Sequence, residues 1–118
     1  MRVFLVIACL FFAKSLSASS ILVPMDEKQA NHLKAYGVSF WVLENGVVME
    51  WLLNYRGGSF LFPHLRTIEE ELIIRGVSYE IVADGQVNAI RTEIANPEVN
   101  MEVVQLEKAP RSEEHTSE

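Results

Sequence analysis

Apolar residues along the chain fall into short continuous runs, and between the runs they recur at spacings of three and four. Ile21 to Val23 is an apolar run stopped by Pro24, which predicts a buried strand. Asp26, with Gln29 three residues on, predicts a capped helix start. The helix it opens would bury Ala30, Leu33, Tyr36 or Gly37, Phe40 and Trp41, and Asn45-Gly46 would end it. Val47 to Asn54 (VVMEWLLN) is almost continuously apolar, as expected of a strand covered on both faces. Gly57-Gly58 breaks the chain, and Phe60 to Phe62 adds a short strand before Pro63. Thr67 with Glu70 predicts a second helix running to Arg75 and closed by Gly76. Val77 to Val82 reads as a third strand, and Asp84 as the cap of a third helix carrying Val87, Ile90 and Ile94. After Asn96-Pro97, Met101 to Leu106 leads into a further strand.

Strand and helix in alternation predict an α/β fold. The expected form is a three-layer, mostly parallel, Rossmann-like sheet with crossover helices, left incomplete by truncation. In such sheets ligands sit beyond the carboxyl ends of the strands. That rule selects Asp26 after the first strand, Asn54, Tyr55, Arg56, Gly57, Gly58 and Ser59 after the second, and Asp84 after the third. A Gly-Gly-Ser turn preceded by arginine can offer backbone amides and a guanidinium to an anion. A plain turn between two strands is the competing reading, because Phe60-Leu61-Phe62-Pro63 follows where a phosphate-binding loop would lead into a helix. His64, on a loop after Pro63, joins the candidate ligand-binding residues. His32 lacks a metal-ligand partner at suitable spacing, and no metal or cofactor is called for. Glu69, Glu70 and Glu71 read as a helix start complementing the dipole. No serine, histidine and acid set can be assembled from spacing alone.

The two ends change the picture of what the chain is. Met1-Arg2, the apolar run Val3 to Ala13 and the small, polar Lys14 to Ala18 have the layout of a secretory signal peptide cleaved after Ala18. The run is too short to span a bilayer, so no membrane span is expected after cleavage. A lipoprotein processing site at Cys9 is the weaker alternative, since the apolar run continues past it. Arg111 to Glu118 (RSEEHTSE) resembles a translated sequencing adapter, which would make residues 19–110 the fragment of an exported, periplasmic or secreted protein. The net charge is −6, and trimming removes three residues of each sign. That balance excludes nucleic acid as a partner, which wants clustered Lys and Arg. Cys9 is the sole cysteine, so residues 19–110 contain no disulfide and no thiol nucleophile.

The strings NHLKAYG (31 to 37), WLLNYRGGSF (51 to 60), IRGVSYE (74 to 80), NPEVNM (96 to 101) and LEKAP (106 to 110) are specific and span nearly all of the trimmed chain. They resemble a family of exported bacterial proteins commonly labelled asparagine synthetase B. The resemblance implies a longer protein that continues after Lys108-Ala109-Pro110 into a region like a class I glutamine amidotransferase. The N-terminal part would pack on that region. The label implies glutamine-hydrolysing asparagine synthesis, which needs a cysteine after the initiator Met and a Ser-Gly-Gly-x-Asp-Ser loop for ATP. Arg2 stands at the first position, and Gly57-Gly58-Ser59 lacks the acidic residue of the second. Three functions follow as expectations: a ligand-binding or scaffolding portion of an amidotransferase-like protein, an enzyme domain acting on amide or carboxylate substrates with Arg56 and the Gly57-Gly58-Ser59 turn holding an anionic group, or an interaction module of the cell envelope without catalysis.

Overall fold

A computed structural model describes residues 18–108. The expected signal segment with Cys9, and the stretch from Ala109 through RSEEHTSE, lie outside those residues.

The elements run β1 (Ser19–Val23), α1 (His32–Glu44), β2 (Met49–Leu53), β3 (Ser59–Pro63), α2 (Arg66–Arg75), β4 (Glu80–Ala83), α3 (Asp84–Ala95) and β5 (Glu102–Leu106). The strands form one sheet in the order β4-β1-β3-β2-β5. Every neighbouring pair is antiparallel. The mostly parallel, Rossmann-like sheet expected from the alternation of strand and helix is therefore overturned. The physical reason is β3. After α1 the chain does not lay β2 beside β1 but leaves a gap one strand wide. The tight turn at 54–58 folds β3 back into that gap, antiparallel to both neighbours. The first six elements thus make a split β-α-β arrangement in ferredoxin-like strand order, and α3 and β5 extend it at the β2 edge.

Side-chain alternation along the strands sorts the core onto two faces. Ile21, Val23, Met49, Phe60 and Phe62 point to one face, covered by α1 (Ala35, Val38, Val42) and α2 (Ile68, Leu72). Leu22, Leu52, Leu61 and Val82 point to the other, covered by Val87, Ile90 and Ile94 of α3. Helices on both faces explain why the strands read as continuous apolar runs. That signal reports burial, and it was the step from burial to parallel pairing that failed. The α3 cover is further tied by Arg91, which donates to both carboxylate oxygens of Glu50 on β2 at 2.9–3.3 Å.

Three helix starts differ from expectation. α1 begins at His32, and its cap is Asn31, whose side chain accepts from the Lys34 amide at 3.1 Å. Leu65 holds the N-cap position of α2 without a side-chain bond, so Thr67 and Glu70 form no capping box. Ala83 precedes α3, which places Asp84 inside the first turn rather than at the cap. The buried face of α1 is also rotated from the expected one. Ala35, Val38, Ser39 and Val42 face the sheet, while Leu33, Tyr36 and Phe40 are exposed. A helix apolar almost all round has two candidate faces, and spacing alone cannot choose between them.

Candidate functional site

The exits of β1 and β2 and the entry to β4 meet at one end of the sheet, where the turn at 54–58 is the centre. Four of its five residues have positive φ: Asn54 at 64°, Arg56 at 46°, Gly57 at 82° and Gly58 at 91°. A left-handed backbone is unfavourable for residues with a Cβ, so Asn54 and Arg56 must be held there. Asn54 Nδ2 donates to the Asn100 carbonyl at 2.8 Å. Arg56 Nε donates to Asp26 at 2.9 Å and Nη1 to Glu80 at 3.0 Å. The Met25 amide donates to the Arg56 carbonyl at 3.1 Å, which brings the β1 exit against the turn. At Gly57 that approach leaves no room: a Cβ would lie 2.4 Å from the Met25 carbonyl oxygen. Ser59 is fully buried, and its hydroxyl donates to the carbonyls of Tyr55 and Arg56. Trp51 Nε1 donates to the Gly58 carbonyl at 3.1 Å.

Around this turn the β1–α1 loop is fixed from the other side. His32 Nε2 lies 3.1 Å from the Met25 carbonyl oxygen and 3.0 Å from that of Asp26. Carbonyls only accept, so this ring nitrogen carries the hydrogen. Gln29 is 6% exposed and uses its whole amide. Nε2 donates to the Pro24 and Ser78 carbonyls at 2.8 and 2.9 Å, and Oε1 accepts from the Ser78 and Asn31 amides at 2.7 and 3.2 Å. Gln29 is thus a bridge between the β1–α1 loop and the chain entering β4. It is not the capping-box partner of Asp26 that its spacing suggested.

The hydrogen bond from Arg56, followed by that from the Lys28 amide, holds the Asp26 carboxyl below its ordinary value. Bonds from Tyr79 and then His64 do the same for Glu69. A carboxyl with a lowered native pKa adds stability that is complete above its ordinary value, 3.8 for Asp26 and 4.5 for Glu69. That stability disappears as pH falls through the lowered one. Acid titration followed by circular dichroism is therefore expected to show stability declining below about pH 4. The Asp26→Asn variant should be less stable at pH 7 and show a shallower acid limb. An unchanged limb in that variant would remove Asp26 from this account.

Of the residues marked by sequence, Asp26, Tyr55, Arg56, Gly57 and Ser59 gather here, with Gly58 on Trp51 and Asn54 turned to Asn100. His64 and Asp84 lie at the opposite end of the sheet. The His64 amide donates to Ser19 and Ala83 pairs with Ser19, whereas Glu80 pairs with Leu22 near the turn. Pairing partners in an antiparallel sheet end on opposite sides, so β1 and β2 exit together at the glycine turn while β3 and β4, with His64 and Asp84, exit at the other end. Within the turn, the Gly58 and Ser59 amides are taken by the Tyr55 carbonyl, and Arg56 is shared by two carboxylates. The cluster acts as a brace locking three strand ends together.

A third feature was not anticipated. Tyr36, Ser39, Phe40 and Leu43 of α1, with Met49, Phe60 and Leu106 of the sheet, line an open groove of about 310 Å³ that is almost wholly apolar. Phe60 forms its floor, stacked on Trp51 at 6.0 Å and meeting Tyr36 edge-on at 5.9 Å. Trp51 thereby links the groove to the glycine turn. Spacing had assigned Tyr36 and Phe40 to the core, so the signal was present and its direction reversed. Among the described residues no group of three or more His, Cys, Asp or Glu side chains could hold a metal ion. No helix there is long and apolar enough to cross a membrane. Comparisons with protein-family models, curated proteins and solved structures give no match.

Proposed function

We propose that this domain is a ligand-binding or scaffolding portion of an exported, amidotransferase-like protein, and that its groove seats the region following Lys108-Ala109-Pro110. The carrying observation is the exposed apolar face of α1 above the groove, with Leu33 77% and Phe40 63% exposed. Contiguous exposed apolar surface marks an interaction site. The route of the chain favours this occupant. β5 delivers Leu106 into the groove wall, and Lys108 Nζ donates to the Glu44 carbonyl at the end of α1 at 3.3 Å. The likeness of the strings quoted above to the family labelled asparagine synthetase B supports the same reading. With no thiol in residues 19–110, glutamine hydrolysis of the kind that label implies would be carried elsewhere.

Phe40→Asp tests the reading in two settings. In the chain as described, where Phe40 faces solvent, the change should alter stability by no more than about 0.5 kcal/mol. In the intact gene product the same change should cost roughly 2 kcal/mol or more, because it would bury a charge at a packed contact. A photo-reactive residue at position 40 of the intact protein should cross-link to the region after Pro110. Cross-links to other envelope proteins instead would favour an interaction module, and a small stability change in both settings would sink the packing reading.

A further inference from the structure

On the sheet face covered by α2, running from the end opposite the glycine turn back toward the entry of β4, four segments contribute one continuous chain of polar side chains. Ser19 Oγ, at the start of β1, lies 3.0 Å from His64 Nδ1 on the loop after β3. His64 Nε2 lies 2.6 Å from Glu69 Oε1 in α2. The Tyr79 hydroxyl, just before β4, donates to Glu69 Oε2 at 2.6 Å. Ser19 and His64 stand 45 positions apart in the chain, which is why spacing could not assemble them. All are partly buried, and none takes part in the brace around Arg56 or in the apolar groove.

The order of donors follows from valence. Tyr79 and His64 together hold Glu69 in its ionised form, so its Oε1 accepts the hydrogen on Nε2. A neutral imidazole has one ring hydrogen, so Nδ1 presents its lone pair to Ser19, and the Ser19 hydroxyl donates to it. Acid, imidazole and hydroxyl stand in the sequence of an activated nucleophile, with the two ring nitrogens exchanged relative to the serine-protease arrangement.

We propose that Ser19 is a nucleophile for small carboxylic esters, with His64 as its general base and Glu69 as the positioning residue. Ser19 Oγ bonds to the acyl carbon while its proton passes to His64 Nδ1. The bond to the alcohol oxygen then breaks as His64 returns that proton to the leaving alkoxide, which gives an acyl-Ser19 ester and a free alcohol. Water attacks the ester, His64 takes the water's proton and delivers it to Ser19 Oγ, and the carboxylic acid leaves.

A fluorophosphonate probe tests this directly, because it forms a stable bond to an activated serine oxygen with loss of fluoride. Peptide mapping of the folded protein should place the adduct on Ser19. Its neighbour Ser20, which points to the opposite face of the sheet, is the internal control and should label at least tenfold more slowly. Ser19→Ala should abolish the adduct. His64→Gln should slow labelling at least a hundredfold, in the range of a lost general base, and should remove the rise in rate as an imidazole deprotonates. Glu69→Gln should slow labelling and Glu69→Asp should recover part of the rate, with Ser19 the labelled residue in both. Melting curves establish that each variant is folded at the labelling temperature. The proposal is overturned if folded wild-type protein labels Ser19 no faster than Ser20. It is equally overturned if His64→Gln, folded, labels at the wild-type rate, since the chain of bonds would then be only a structural tie.

Discussion

Gly57→Ala is expected to destabilise the domain by about 3 kcal/mol, from roughly 1–2 kcal/mol for a left-handed residue with a Cβ and a similar amount for overpacking. The new methyl would run into the Met25–Asp26 peptide: the Met25 oxygen at 2.4 Å, the Met25 carbon at 2.7 Å and the Asp26 nitrogen at 3.0 Å. None of these atoms can rotate away. Relief would require parting the β1 exit from the turn, which breaks the bond from the Met25 amide to the Arg56 carbonyl and loosens Arg56 from Asp26. For a domain of this size the loss corresponds to a fall in Tm of roughly 10–20 °C. Gly46→Ala and Gly76→Ala are the comparators. Both positions have positive φ but nothing within 4 Å of the added atom, so each should cost only the roughly 1–2 kcal/mol of the left-handed backbone. Equal effects at all three sites would mean that backbone conformation alone, without the contact to Met25, accounts for the glycine.

Gln29→Glu should cost a comparable amount, roughly 3 kcal/mol at neutral pH. The exchange preserves shape but replaces a donating NH2 by an oxygen. The Pro24 and Ser78 carbonyls, now served at 2.8 and 2.9 Å, would face a carboxylate instead, at a site almost closed to water. Chemical denaturation at neutral pH measures the loss. Part of the stability should return as the pH is lowered and the new carboxyl protonates, because a protonated glutamate regains one donor. A loss that is the same at every pH would show that the amide's charge and donors are immaterial and that only its volume counts.

The positions of strands and helices were legible in the chain because burial and helical spacing leave local marks. Gly76 closes α2 with φ of 71°, as a glycine after the last apolar turn should. Pairing was not legible. Phe60, Leu61 and Phe62 are all buried, and that unbroken run marks the central strand of the sheet, yet three residues before a proline looked like an appendage. Strand neighbours depend on which gap a turn folds into, and no local pattern records that. The same limit applied to the sites. Tyr55, Arg56, Gly57 and Ser59 lie within five positions of one another and could be found together. Gln29 with Ser78, and Ser19 with His64, Glu69 and Tyr79, meet only because β1 stands between β3 and β4. Glu69 in particular had a sufficient local explanation as a charge at a helix start, which hid its role as the partner of two side chains from other segments.

The interleaved strand order also sets the tempo of self-assembly. Among the described strands, only β2 and β3 are neighbours both in the chain and in the sheet. β1 must find β3 and β4 across the whole of α1 and beyond, and β5 must find β2 after the chain has crossed the sheet under α3. Loop closure over such spans comes before any contact rewards it, which is expected to make the domain, as a mixed α/β fold, slower to assemble than helical bundles. The β2–β3 hairpin is the one sheet element able to form early. On a growing chain, β1 spends the synthesis of some forty further residues as an apolar ribbon without its β3 partner, until Phe60 and Phe62 arrive to meet Val23 and Ile21.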